Sequence, residues 1–154
     1  MSQPEPAALE GPVSGTAEIE VAAPVETVWR VLTDLEQWPN WNSDVTSMTV
    51  DGPLAEGTVF RWKAGPRTIV STIERVDRPR IVVWSGKTLG VKATHAWHFE
   101  QVGEATHVRT EEALRGIVAR VLRRSLQKTL DSALESGLRN LKAEAERISL
   151  GTSS

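Results

Sequence analysis

Apolar residues recur at three- and four-residue spacings from Ile117 to Ile148, through Val118, Leu122, Leu126, Leu130, Leu134, Leu138, Leu141 and Ala145. That spacing gathers side chains on one face of an α-helix. At about 1.5 Å per residue such a helix is roughly 45 Å long, so its stripe needs a broad apolar surface to lie across. Upstream the period drops to two. Thr16 to Ala22 alternates, with Ala17, Ile19 and Val21 opposite Glu18 and Glu20. Further strands are predicted over Asp44 to Val50, Thr58 to Lys63, Thr68 to Val76, Arg80 to Ser85, Val91 to Phe99 and His107 to Leu114, with turn-forming residues between them. After the first strand, Pro24 opens a short helix whose Val25, Val28, Trp29 and Leu32 share a face. It ends near Asp34. Pro39 is then expected to push Trp38 out of the α region, which leaves Leu35 to Asn42 irregular.

The register of the strands follows from their turns. A tight turn over Val102 to Ala105 sets Phe99 opposite Val108, Trp97 opposite Thr110 and His95 opposite Glu112. A four-residue loop over Lys87 to Gly90 sets Trp84 opposite Ala93. Turning about Arg78-Pro79 pairs Ile73 with Trp84, and turning about Gly65-Pro66 pairs Phe60 with Ser71 and Trp62 with Ile69. A slip of one residue would move every side chain to the other face. All these pairings choose the same concave face, which collects Phe60, Trp62, Ser71, Trp84, His95, Trp97, Phe99, Thr110 and Glu112. The fold class that results is α+β: a curved seven-stranded antiparallel sheet around a long C-terminal helix. Residues 1–15 and 149–154 are expected to be flexible tails flanking a single domain over 16–148.

The remaining composition narrows the function classes. A net charge of −2 with mixed signs gives no footprint for nucleic acid. Zero cysteines remove disulfides, thiolate catalysis and cysteine-ligated metals. No segment reads as a membrane span or a signal peptide, so a cytoplasmic protein without integral membrane association is expected. The chain has six Trp and no Tyr. Since a buried indole N–H wants a partner, this lopsided usage points to a lined cavity as well as to a core. No phosphate-binding glycine motif is present, and no cofactor is expected. His98 faces away from His95 by strand alternation and His107 sits near a hairpin, so the three histidines make no metal site.

The motifs PxxxVWxxLTD (24–34), WPNWN (38–42), GPLxxGTxFRWK (52–63) and THAWxFE (94–100), with the long terminal helix, resemble the START-like superfamily (SRPBCC). Within it they resemble the polyketide cyclase/dehydrase-type subgroup, over roughly Ala17 to Arg147. The resemblance implies a helix-grip fold, as in START and Bet v 1-like proteins, with an elongated cavity between sheet and last helix. Members include lipid carriers, hormone receptors and aromatic polyketide cyclases, so the resemblance speaks to fold more than to reaction.

The leading expectation is a protein that binds a hydrophobic, aromatic or polycyclic small molecule in that cavity. Trp62, Trp84, Trp97 and Phe99 supply apolar contact; Ser71, Thr110, His95 and Glu112 supply polar groups. The enzymatic alternative is a cofactor-free cyclase or dehydratase of lyase or isomerase type, in which His95 is the general base and Glu112 orients it. The third is a lipid or partner-protein adaptor using Arg120, Arg123 and Arg124 to meet an acidic partner. A monomer and a homodimer fit the sequence equally.

Overall fold

The computed structural model describes residues 9–152. Seven strands, β1 (Val13–Val21), β2 (Val45–Val50), β3 (Val59–Ala64), β4 (Arg67–Asp77), β5 (Ile81–Thr88), β6 (Val91–Val102) and β7 (Ala105–Arg115), form one antiparallel sheet in the order β1-β7-β6-β5-β4-β3-β2. Between β1 and β2 lie α1 (Val25–Thr33), one 3-10 turn (Leu35–Gln37) and α2 (Trp38–Trp41). The chain ends in α3 (Ile117–Val121) and α4 (Arg123–Thr152). Among the described residues no helix is long and apolar enough to cross a membrane.

The concave face of the sheet is the core face, and α4 lies across it. Leu138, Leu141 and Ala145 pack with Trp29, Trp38, Phe60, Trp84, Trp97 and Phe99 at one end. Leu126, Leu130 and Leu134 pack with Val13, Val91 and Ala119 at the other. Closest approach is at Gly15, where an added Cβ would lie 3.1 Å from Leu134 and 3.0 Å from Asp131 Oδ1. A side chain there would require the ends of Asp131 and Leu134 to give by a few tenths of an ångström.

Four expectations need correction. The flexible N-terminal tail is too long, because β1 begins at Val13 and pairs Gly15 with Glu112; residues 1–8 lie outside the described residues. The C-terminal tail fails likewise, since α4 runs to Thr152; residues 153–154 lie outside the described residues. The terminal stripe is not one helix. It breaks at Leu122 (φ −100°, ψ 30°), because Val118 packs on Gly90 in the β5–β6 turn, whereas α4 must cross the sheet. Leu122 is therefore half-exposed instead of buried. Finally, Trp38 is helical (φ −51°, ψ −43°). Pro39 sits in the first turn of α2, where its missing N–H costs nothing, and burial of the Trp38 ring outweighs the preference for extended backbone before proline.

The registers of β3 with β4 and of β6 with β7 are as expected, including His95 opposite Glu112. The β5–β6 turn is tighter than expected. Thr88 pairs with Val91, leaving only Leu89-Gly90 as loop, so Trp84 faces His95 and Gly86 faces Ala93. A two-residue shift preserves the face, and the concave set survives it.

Candidate functional site

Between the sheet and α4 lies a cavity with two lobes of about 480 Å³ and about 450 Å³. Both are lined by Trp62, Ala64, Trp84, His95, Glu112 and Ala133. The first lobe runs toward α2, past Trp38, Trp41, Asn42 and Asp44, with Trp97, Ser132, Ser136, Gly137 and Arg139 on its other sides. The second runs toward the β5–β6 turn over Ile69, Ser71, Gly86 and Leu114, under Leu126 and Leu130. Strand alternation aims these side chains inward, and bulky indoles hold sheet and helix apart.

Where the lobes meet, three side chains form a chain of polar contacts. His95 Nε2 is 2.7 Å from Thr110 Oγ1, and His95 Nδ1 is 3.2 Å from Glu112 Oε2. Thr110 donates its hydroxyl to Ala96 O at 3.4 Å. A hydroxyl has one proton to give, so His95 Nε2–H donates to Thr110 and Nδ1 carries the lone pair that faces Glu112. The imidazole stacks on Trp97 (centroids 5.2 Å, 29°) and meets Trp84 tilted at 5.2 Å. Burial in this aromatic wall disfavours charge on both members. It lowers His95 to about 3 and raises Glu112 to about 7. Below about pH 7 the proton of the pair rests on Glu112, and the imidazole is neutral.

The structure sorts the residues singled out from the sequence. Trp62, Ser71, Trp84, His95 and Glu112 line the cavity, as does Trp97. Ser71 accepts a hydrogen bond from Trp62 Nε1 at 3.1 Å and so anchors that indole. Two do not reach the cavity. Phe99 is buried against the edge of Trp29 (5.6 Å, 78°) and belongs to the core. Thr110 is fully buried behind His95 and acts on the imidazole. His98 pairs with Glu111 on the outer face at 3.1 Å. Among the described residues no group of three candidate ligands is placed to hold a metal.

Sequence reasoning missed the polar rim of the first lobe. Ser136 donates to Asp44 at 2.9 Å and Asn140 to Asn42 at 3.2 Å, tying α4 to the segment after α2. The available signal was the pair Ser132 and Ser136 one turn apart, beside the leucine stripe. Trp97 Nε1 and Trp41 Nε1 are buried without an acceptor among the described residues. Gly137 opens onto the first lobe without tight contact: an added Cβ would stand 3.8 Å from Trp97. Gly137→Ala is therefore expected to stabilise the fold by about 0.5–1 kcal/mol through helix propensity, read as a raised urea midpoint. A lowered midpoint would mean that the helix has no room there.

The sequence matches, over residues 12–146, the family model described as polyketide cyclase/dehydrase and lipid transport. The chain belongs to this family. Its fold is the START-like helix grip, shared with a START superfamily protein from Mycobacterium smegmatis (TM-score 0.77, 15% identity, 88% of this chain and 98% of that one). It is also similar to a protein from Thermus thermophilus (TM-score 0.76, 26% identity, 92% and 99%). An aromatase/cyclase from Streptomyces sp. R1128 superposes with TM-score 0.74 at 17% identity, over 87% and 93% of the two chains.

Proposed function

We propose that this protein binds a hydrophobic, aromatic or polycyclic small molecule in the two-lobed cavity, with a polar group of the ligand held at His95 and Glu112. One observation carries the reading: a cavity of ligand size walled by Trp62 and Trp84 has the polar pair His95 and Glu112 where its two lobes meet. Pockets of this make, apolar with few convergent polar groups, take flat ligands and orient them by those groups. Below about pH 7 Glu112 is neutral, with its one proton facing His95 Nδ1 and its other oxygen free to accept, which suits a phenolic hydroxyl rather than a cation. The expected result is quenching of Trp fluorescence by members of a panel of aromatic polyketides and flavonoids. Trp84→Leu should weaken the best binder roughly tenfold, the loss of one aromatic contact of about 1 kcal/mol with some apolar area. A panel that neither quenches nor shifts the melting temperature, together with native mass spectra free of bound small molecules, would sink the reading.

The polar pair also favours a second reading as a cyclase or dehydratase. A neutral carboxyl near pH 7 beside a neutral imidazole is an acid and a base in reach of one another, the arrangement that proton transfer at a carbonyl requires. Glu112 is then the acid that gives its proton to the substrate oxygen, and the His95 Nδ1 lone pair takes up the proton that the adjacent substrate carbon loses. His95 keeps the role of base first expected, and Glu112 changes from orienting it to acting as the acid. Under this reading Glu112→Gln removes turnover and leaves affinity within a few-fold. Equal loss of affinity and turnover would favour binding alone.

A further inference from the structure

The end of the molecule beyond the second lobe combines two features that the cavity does not use. First, it exposes apolar side chains. Leu89 is 87% exposed, Ile117 80% and Val121 76%, and Leu122 beside them is half-exposed. These are brought together by packing, since Gly90 in the β5–β6 turn meets Val118 and the Gly90 carbonyl meets Gly116 at the start of α3. Leu89 occupies a left-handed position (φ 22°), where Gly or Asn is the ordinary choice and a leucine is strained. Burial offsets little of that strain, because most of the side chain faces solvent.

Second, the three segments that build this end are free of acid up to Asp131, which shares a surface recess with Arg123, Arg124 and Lys128. Residues 64–73, 86–99 and 113–130 contain no Asp or Glu, in a chain with 20 of them. They supply Arg67, Lys87, Lys92, Arg120, Arg123 and Arg124, and none of these six meets a carboxylate among the described residues. Arg123 and Arg124 open α4 without an acidic residue in its first turn, so they oppose the helix dipole until an anion meets them.

We infer that this end docks on the surface of a bilayer containing anionic phospholipid. Leu89, Ile117 and Val121 enter the headgroup region, and the surrounding cations meet the phosphates. Protruding apolar side chains within a basic field are the signature of interfacial attachment; an acidic protein partner would call for cations around a flat or recessed patch instead. Arg67 and Lys87 also line the second lobe, so the docked face adjoins the cavity. The inference rests on surface residues alone and does not depend on the ligand proposed above.

The test is co-sedimentation of the full chain with phosphatidylcholine vesicles, with and without about 30% phosphatidylserine. The expected result is binding to the anionic vesicles only, weakening as salt rises. Arg120→Gln, Arg123→Gln and Arg124→Gln together should lower partitioning roughly 100-fold. Leu89→Asn should lower it severalfold by removing one inserted side chain, while its melting temperature holds or rises because the turn strain is relieved. That separates loss of docking from loss of fold. Absence of binding to anionic vesicles, or binding that these variants leave unchanged, overturns the inference. Capture on polyglutamate without vesicle binding would assign the patch to an acidic protein and overturn it too.

Discussion

Trp38→Ala is expected to cost about 3–5 kcal/mol of folding free energy, the range for deleting a large buried aromatic side chain. Trp38 is 4% exposed and stands where α2 meets the sheet. Its ring is edge-on or tilted to four others: Trp84 at 5.4 Å, Trp62 at 5.7 Å, Phe60 at 6.3 Å and Trp41 at 6.4 Å. Its indole N–H donates to Leu32 O at 2.7 Å, which closes the end of α1. Truncation therefore removes apolar burial, leaves a backbone carbonyl unpaired and opens the wall of the first lobe. Trp38→Phe should recover part of the loss by restoring ring packing without the N–H. Urea denaturation of the three proteins decides it. A cost below about 1 kcal/mol for the alanine variant would mean that α2 is a loose flap rather than part of the core.

Glu112→Gln is expected to stabilise the protein by about 2–3 kcal/mol at pH 8, with a gain that vanishes near pH 4. The sign and size follow from linkage, in which each tenfold change in proton affinity is worth about 1.36 kcal/mol. The folded pKa, about 7, lies above the ordinary 4.5, so the carboxyl's favourable contribution is full below 4.5 and is lost as pH rises through 7. Glutamine keeps the shape and neutrality of the protonated acid and never has to ionise in the cavity. His95 works in the other direction. Its folded pKa, about 3 against an ordinary 6.5, adds stability above 6.5 that is lost as pH falls toward 3. Between about pH 4.5 and 6.5 the two effects oppose, so the native chain should be nearly flat there while Glu112→Gln loses stability on acidification. Chemical denaturation at four pH values reads this directly. Equal stability of the two proteins at pH 8 would show that Glu112 ionises freely and that water reaches the pair.

The core face was legible because β-strand alternation is a local property. Register between β6 and β7 depended only on Gly103 and the length of one turn, so the facing of His95 and Glu112 could be read before any packing was known. The β5–β6 pairing was misread because a loop's length can differ by two residues without disturbing alternation. Trp38 was misread for a different reason. Its local preference as the residue before Pro39 is weak, and the energy that overrides it comes from Phe60, Trp62 and Trp84, residues far along the chain.

Sequence by itself determined the order of the strands, the concave face and the membership of His95 and Glu112 in it, because the period of 2 is written in neighbouring residues. Tertiary structure decided which of those residues line the cavity. Phe99 and Thr110 share the face with Trp62 and Trp84, yet one is covered by Trp29 and the other stands behind an imidazole. It also decided where the proton of the pair resides, since that depends on how completely the surrounding indoles exclude water. Only the docking of α3 on the β5–β6 turn brought Leu89 beside Ile117, two residues 28 positions apart. Alternation along a strand is enforced by covalent geometry, whereas depth, dielectric and the meeting of distant segments are set by everything packed around a residue.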